Sequence, residues 1–117
     1  MRDHTRLRAF ELADSLAIEI YRATQSFPRE EQFGLTSQMR RAAVSTASNI
    51  VEGCARRSET EYVRFLDIAF GSARELEYQV SLAQRLGYLT QTLGQSLAQL
   101  AQETSKVLGG LLRSLCK

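Results

Sequence analysis

The sequence has no tryptophan, one proline, one histidine and two cysteines in 117 residues. Each shortage excludes something. The lone proline, Pro28, leaves long stretches free to run as uninterrupted helix. Cys54 and Cys116 lie far apart with no metal-ligand spacing, so free, partly buried thiols are expected rather than a disulfide framework or a metal site. The one histidine, His4, sits in the N-terminal segment and reads as a solvated residue, so no imidazole is placed by the fold for Ser–His or Cys–His catalysis. Di-iron bundle chemistry needs Glu-x-x-His pairs on facing helices and fails for the same reason. The Arg…His motif of HEPN-type helical ribonucleases fails too, because no histidine follows Arg40 or Arg41. No glycine-rich phosphate loop is present. The expectation is a protein with no cofactor and no enzymatic activity. The opening MRDHTRLRAFELADSL has no apolar signal core and no apolar run reaches membrane-spanning length, which predicts a cytoplasmic protein without membrane contact.

What is present is ordinary in amount and biased in kind. Hydrophobic residues make up 44% and charged residues 24%, as in soluble globular proteins, and the length suits one domain over residues 1–117. Net charge is only +2, too small to announce a nucleic-acid binder. Of the fifteen basic residues only Lys106 and Lys117 are lysine. Arginine forks suit phosphate and carboxylate groups, although a base-composition bias in the genome gives the same excess.

Periodicity predicts four helices. The first spans about residues 7–24, where Leu12, Leu16 and Ile20 repeat every four residues beside Ala9, Ala13 and Ala17. FPREEQFG ends it between Pro28 and Gly34, with Phe27 and Phe33 expected to pack back on the bundle end. The second spans about 36–56 with Met39, Ala42, Ala43, Thr46, Ile50 and Gly53 inward, a stripe of small side chains that permits close helix approach. The third opens on a capping box, Ser58 with Glu61, and continues through Tyr62, Phe65 or Leu66, Ala69, Ala73, Leu76, Val80 and Ala83 to a left-handed cap at Gly87. The fourth begins near Thr90 or Thr92, with a seam of Leu93, Leu97, Leu100, Thr104, Val107 or Leu108, Leu111 and Leu115. Within it Gly109 and Gly110 mark fraying or close packing. Four amphipathic helices with short connections predict an all-α, antiparallel up-down-up-down four-helix bundle, residues 1–6 being a flexible tail. Val63, Ile68, Phe70, Leu82, Ile18 and Leu112 fall outside the internal seams, a second apolar stripe that points to self-association.

Two groups of polar residues are candidates for function. Arg41, Ser45, Asn49 and Glu52 recur at four, four and three residues on one face of the second helix, and Ser72 and Glu75 share a face of the third. The structural reading is a buried network in which Glu52 or Glu75 pairs with Arg41 while Ser45 and Asn49 bridge the helices and fix register. The alternative is a ligand or RNA contact. The second group is basic: Arg2, Arg6 and Arg8, then Arg40 with Arg41, then Arg56 with Arg57. The last pair also complements a helix dipole. Repeated by symmetry in a ring, such clusters would form a basic band able to contact phosphates.

The stretch RRAAVSTASNIVEGCARRS (residues 40–58), with FLDIAFGSARELEYQV (65–80) and IYRATQSFPREEQFGLTSQMRR (20–41), resembles the signatures of the four-helix-bundle family of rRNA intervening-sequence proteins. The resemblance covers nearly the whole chain and is weakest in the fourth helix. Phe10 stands where many members have Trp, Ala47 where Pro is common and Thr46 where an aliphatic is usual. The resemblance implies the bundle fold, with Arg41, Ser45, Asn49, Glu52, Gly53, Ser72 and Glu75 as its polar signature. Similarity to the accessory proteins of diversity-generating retroelements further implies a homopentamer that binds RNA or DNA and a reverse transcriptase or other protein. Arg40, Arg56, Arg57, Arg6 and Arg8 are the nucleic-acid contacts expected on that basis; the competing expectation is a protein-binding adaptor with no nucleic-acid role.

Overall fold

The computed structural model describes residues 1–116. It contains α1 (Arg8–Thr24), α2 (Leu35–Cys54), α3 (Glu59–Arg85) and α4 (Gln91–Leu115), preceded by a 3₁₀ turn at His4–Arg6 and with another at Arg29–Glu31. No strand occurs among the described residues. Each helix packs on its neighbours in sequence and α1 also packs on α4, closing a four-membered ring in a body of 43 × 23 × 19 Å. This is the up-down-up-down four-helix bundle that the periodicity predicts.

The helix boundaries follow from local chemistry. Ser58 Oγ accepts the Glu61 N–H at 3.1 Å and starts α3. The return half of the capping box is not made; the Glu61 carboxylate instead holds Arg64 at 3.0 Å, and that bond lowers its pKa. Thr90 Oγ1 accepts the Leu93 N–H at 3.1 Å and starts α4. Gly87 ends α3 at φ +80°, the left-handed conformation that glycine adopts without strain. Gly34 precedes α2 without a side-chain cap, so Glu31 supplies one from the connection: one oxygen accepts the Leu35 N–H at 3.0 Å and the other the Tyr88 hydroxyl at 2.9 Å. One carboxylate thereby caps α2 and ties the α1–α2 connection to the α3–α4 connection.

The core forms two clusters, one toward each end of the bundle. Leu16, Ile20, Met39, Leu76, Val80 and Leu97 fill the end with the α1–α2 and α3–α4 connections. Ala13, Ile50, Cys54, Tyr62, Leu66 and Leu108 fill the end with the α2–α3 turn. Every inward position named for α2 is buried, as are Tyr62, Leu66, Ala69, Ala73, Leu76, Val80 and Ala83 of α3. Thr46 and Thr104 are wholly buried at no polar cost, because each hydroxyl donates to the carbonyl four residues back.

Three expectations need correction. The first six residues are not a free tail: Arg2 donates its backbone N–H to the Cys54 carbonyl at 2.7 Å, pairs with Glu59 and lays its guanidinium 3.8 Å from the Tyr62 ring centroid. That arm satisfies a carbonyl left over at the end of α2. Phe27 packs on Tyr88 with centroids 5.4 Å apart, but Phe33 is 90% exposed, since that one aromatic slot at the bundle end is filled. The second apolar stripe is mostly internal: Phe70, Leu82 and Leu112 pack against the core clusters and Val63 is half-buried, leaving Ile18 and Ile68 exposed.

Candidate nucleic-acid interface

Antiparallel packing brings the start of α1, the α2–α3 turn and the end of α4 to one end of the bundle, and most of the sequence-predicted arginines with them. Their states differ. Arg8 pairs with Glu103 of α4 at 2.5 Å. Arg56 pairs with Glu52 one turn back at 3.0 Å and lies 4.9 Å from the Phe65 ring centroid, while Arg64 covers the same ring at 4.4 Å. Arg6 and Arg57 are exposed and make no ion pair or side-chain hydrogen bond among the described residues. Arg40 does not join this cluster. It lies about 24 Å from Arg56 along α2 at about 1.5 Å per residue. Its guanidinium donates to Thr24 Oγ1 at 2.8 Å and to the Tyr21 carbonyl at 3.3 Å, covering the Tyr21 ring at 4.6 Å. Arg40 thus fastens the end of α1 to α2.

The polar signature is not the buried network that spacing suggested. Ser45 and Ser72 bridge α2 and α3, Oγ to Oγ at 2.8 Å. Asn49 stays on its own helix and donates to the Ser45 carbonyl at 2.8 Å and to Ser45 Oγ at 3.0 Å. Glu52 is committed to Arg56, and Arg41 pairs with neither Glu52 nor Glu75. Both Arg41 and Glu75 are exposed and line, with Ser45, Ser72 and Gln38, an open groove of about 480 Å³ between α2 and α3. The reason is side-chain size: the short serines meet at the bottom of the α2–α3 interface and leave the groove above them unfilled, and Gly53 lets the same two helices pack closely farther along. A Cβ at Gly53 would stand 3.0 Å from Phe65 Cβ and 3.3 Å from the Tyr62 carbonyl oxygen. Gly53 is therefore the position that admits α3.

Beneath the arginine end Cys54 is buried, and that burial raises its thiol pKa and keeps it protonated; Cys116 is exposed. His4 packs edge-on against Phe10, centroids 4.7 Å apart. No group of three or more His, Cys, Asp or Glu side chains able to hold a metal occurs among the described residues, and no helix there is long and apolar enough to cross a membrane. Sequence reasoning missed Arg2 as a strap, Tyr21 as Arg40's platform and Gln79 as a partner of Glu75. Only the last was legible, from its i, i+4 spacing.

The model of the 23S rRNA-intervening sequence protein family matches residues 5–110. The chain belongs to that family. A solved structure similar to this family member is a protein of unknown function from the S23 ribosomal protein family of Bacteroides thetaiotaomicron VPI-5482. It has a TM-score of 0.81 and 24% identity, covering 90% of this chain and 95% of that one. At that identity the likeness is one of fold. No curated protein matches the chain.

Proposed function

We propose that the protein is a non-enzymatic, cytoplasmic homo-oligomer that binds structured RNA or another nucleic acid through the arginine end of the bundle. The observation that supports this reading is the state of Arg6 and Arg57. Both are exposed cations with no carboxylate partner among the described residues, at the end that also carries Arg8 and Arg56, in a family named for rRNA intervening sequences. An unpaired guanidinium can neutralise a phosphate without first breaking an internal ion pair. A pentamer would repeat the cluster five times and turn a small patch into a band, with Ile68 and Tyr78 of α3 and Leu86 just past its end as exposed apolar surface for assembly. Reversing Arg6 and Arg57 together to Glu weakens binding to a structured RNA by more than tenfold while the circular-dichroism melt is unchanged; equal affinity would remove those residues from the interface. Light scattering on the eluting protein should give five times the 13.1 kDa chain mass.

A protein-binding adaptor is the second reading, and one observation favours it: Phe33 stands almost fully exposed on the α1–α2 connection, where a partner's apolar pocket could seat it. Under that reading Phe33→Ser abolishes capture of a protein partner such as a reverse transcriptase, and no salt-dependent nucleic-acid binding is found.

A further inference from the structure

The outer face of α2 carries an arrangement that the arginine end does not use. Arg41 lies between two shallow clefts. On one side it shares a cleft of about 380 Å³ with Tyr21 and Val44, where the Tyr21 side chain is 43% exposed beside its covering Arg40. On the other it shares the groove of about 480 Å³ with Ser45, Ser72 and Glu75.

The groove is held in shape by its own hydrogen bonds. Asn49 fixes Ser45, Ser45 meets Ser72, and Gln79 reaches Glu75 with its amide nitrogen at 3.4 Å. Gln79 is only 3% exposed, and its carbonyl oxygen is buried without a partner. Arg41 and Glu75 line one groove yet form no ion pair, although arginine–glutamate pairs close elsewhere on the same surface, as in Arg22 with Glu19 and Arg64 with Glu61. A guanidinium without an ion pair among the described residues and a carboxylate bonded only to Gln79, lining one groove, suit a ligand that brings an anion to one and a hydrogen-bond donor to the other.

We infer that this face binds single-stranded RNA, an inference that rests on the nucleic-acid reading above. One phosphate sits on Arg41, the adjoining ribose lies in the groove with its 2′-hydroxyl donating to Glu75, and a neighbouring base stacks on Tyr21. An ionised carboxylate only accepts hydrogen bonds, and a ribose hydroxyl is the donor that carboxylates take in dinucleotide sites. That hydroxyl is what separates RNA from DNA at a single position. An exposed tyrosine supplies a stacking platform that any base can use, provided the base is not already stacked within a duplex. Glu75 repels phosphate and so sets the direction of the strand, sugar toward α3 and phosphate toward Arg41.

The test is fluorescence anisotropy with labelled oligouridylate RNA and the oligodeoxyuridylate of the same length, at one fixed salt concentration. The native protein prefers the RNA by about tenfold, the worth of one hydrogen bond to a charged group. Glu75→Met removes that preference, because only the RNA loses a hydrogen bond while both strands are relieved of the repulsion on phosphate; Arg41→Ala and Tyr21→Ala weaken both strands. Should Glu75→Met fail to fold, the RNA–DNA comparison on native protein and the surface variants Arg41→Ala and Tyr21→Ala still decide. Equal affinity for the two strands, or a preference that survives Glu75→Met in folded protein, overturns the inference. Binding of structured RNA with no binding of oligouridylate overturns it too, and leaves the arginine-end reading standing. Absence of binding to every nucleic acid overturns both and points to a polypeptide partner.

Discussion

The two ends of the bundle are closed by different chemistry. Where α2 turns into α3, closure uses close packing at Gly53 and a shell of guanidinium groups: Arg2 over Tyr62, Arg56 and Arg64 over Phe65. At the opposite end an aromatic pair, Phe27 with Tyr88, and one carboxylate, Glu31, do most of the same job, with a single guanidinium, Arg40 over Tyr21, holding α1 to α2. The difference teaches that counting arginines does not locate an interface. Several of those at the charged end already hold the bundle together, and the ones free to act are those whose nearby carboxylates are taken by other partners: Asp3, three residues before Arg6, accepts from Thr5, and Glu61, four after Arg57, holds Arg64. Arg56 has Glu52 at i−4 and is occupied; Arg57, its neighbour, is not.

Substitution can break each closure separately, and the largest loss is expected at the charged end. Gly53→Ala places a methyl against Phe65 Cβ and the Tyr62 carbonyl, neither of which can move without shifting α3. Overpacking of this kind costs about 1–3 kcal/mol, only partly offset by the better helix propensity of alanine. Urea titration should show the midpoint falling with the slope unchanged; an unchanged midpoint would mean that the helices do not meet so closely.

A smaller loss, with a pH signature, is expected at the opposite end. The Leu35 N–H and then the Tyr88 hydroxyl hold the Glu31 carboxyl below its ordinary pKa. A depressed acid contributes stability above its unfolded pKa and loses it as pH falls through the folded one. Glu31→Ala should therefore lower the melting temperature near neutral pH, with the gap to native protein closing below about pH 4. A gap independent of pH would assign the effect to packing instead. The smallest change is a gain: Gly110 meets nothing but Arg113, so Gly110→Ala should raise stability by up to about 1 kcal/mol through helix propensity. A loss there would show that α4 needs glycine at both positions.

The fold was legible because its signals are local. Ser58, Thr90 and Gly87 mark helix ends by their own side chains or backbone freedom, and the α3 seam steps at threes and fours without interruption. The candidate site was legible only in part. Spacing put Arg41, Ser45, Asn49 and Glu52 on one face, but the openness of that face depends on what α3 sets opposite it, and a short serine at position 72 meets Ser45 without filling the groove above. Periodicity does not say which residue of another helix will stand opposite. Phe33 was misplaced for a similar reason: two phenylalanines flank one connection, and only the packed structure shows a single slot for them. The N-terminal arm carries no periodic pattern at all, and its anchorage rests on a backbone bond to Cys54 that no residue type announces.

The central claim is that exposed, unpaired arginines contact nucleic-acid phosphates, and its most direct test is the salt dependence of binding. Anisotropy of a labelled structured RNA, titrated with purified native protein across a salt series, should give a logarithm of affinity that falls linearly with the logarithm of salt, steeply enough to count several neutralised phosphates. No binding at the lowest salt, or an affinity indifferent to salt, would contradict the account.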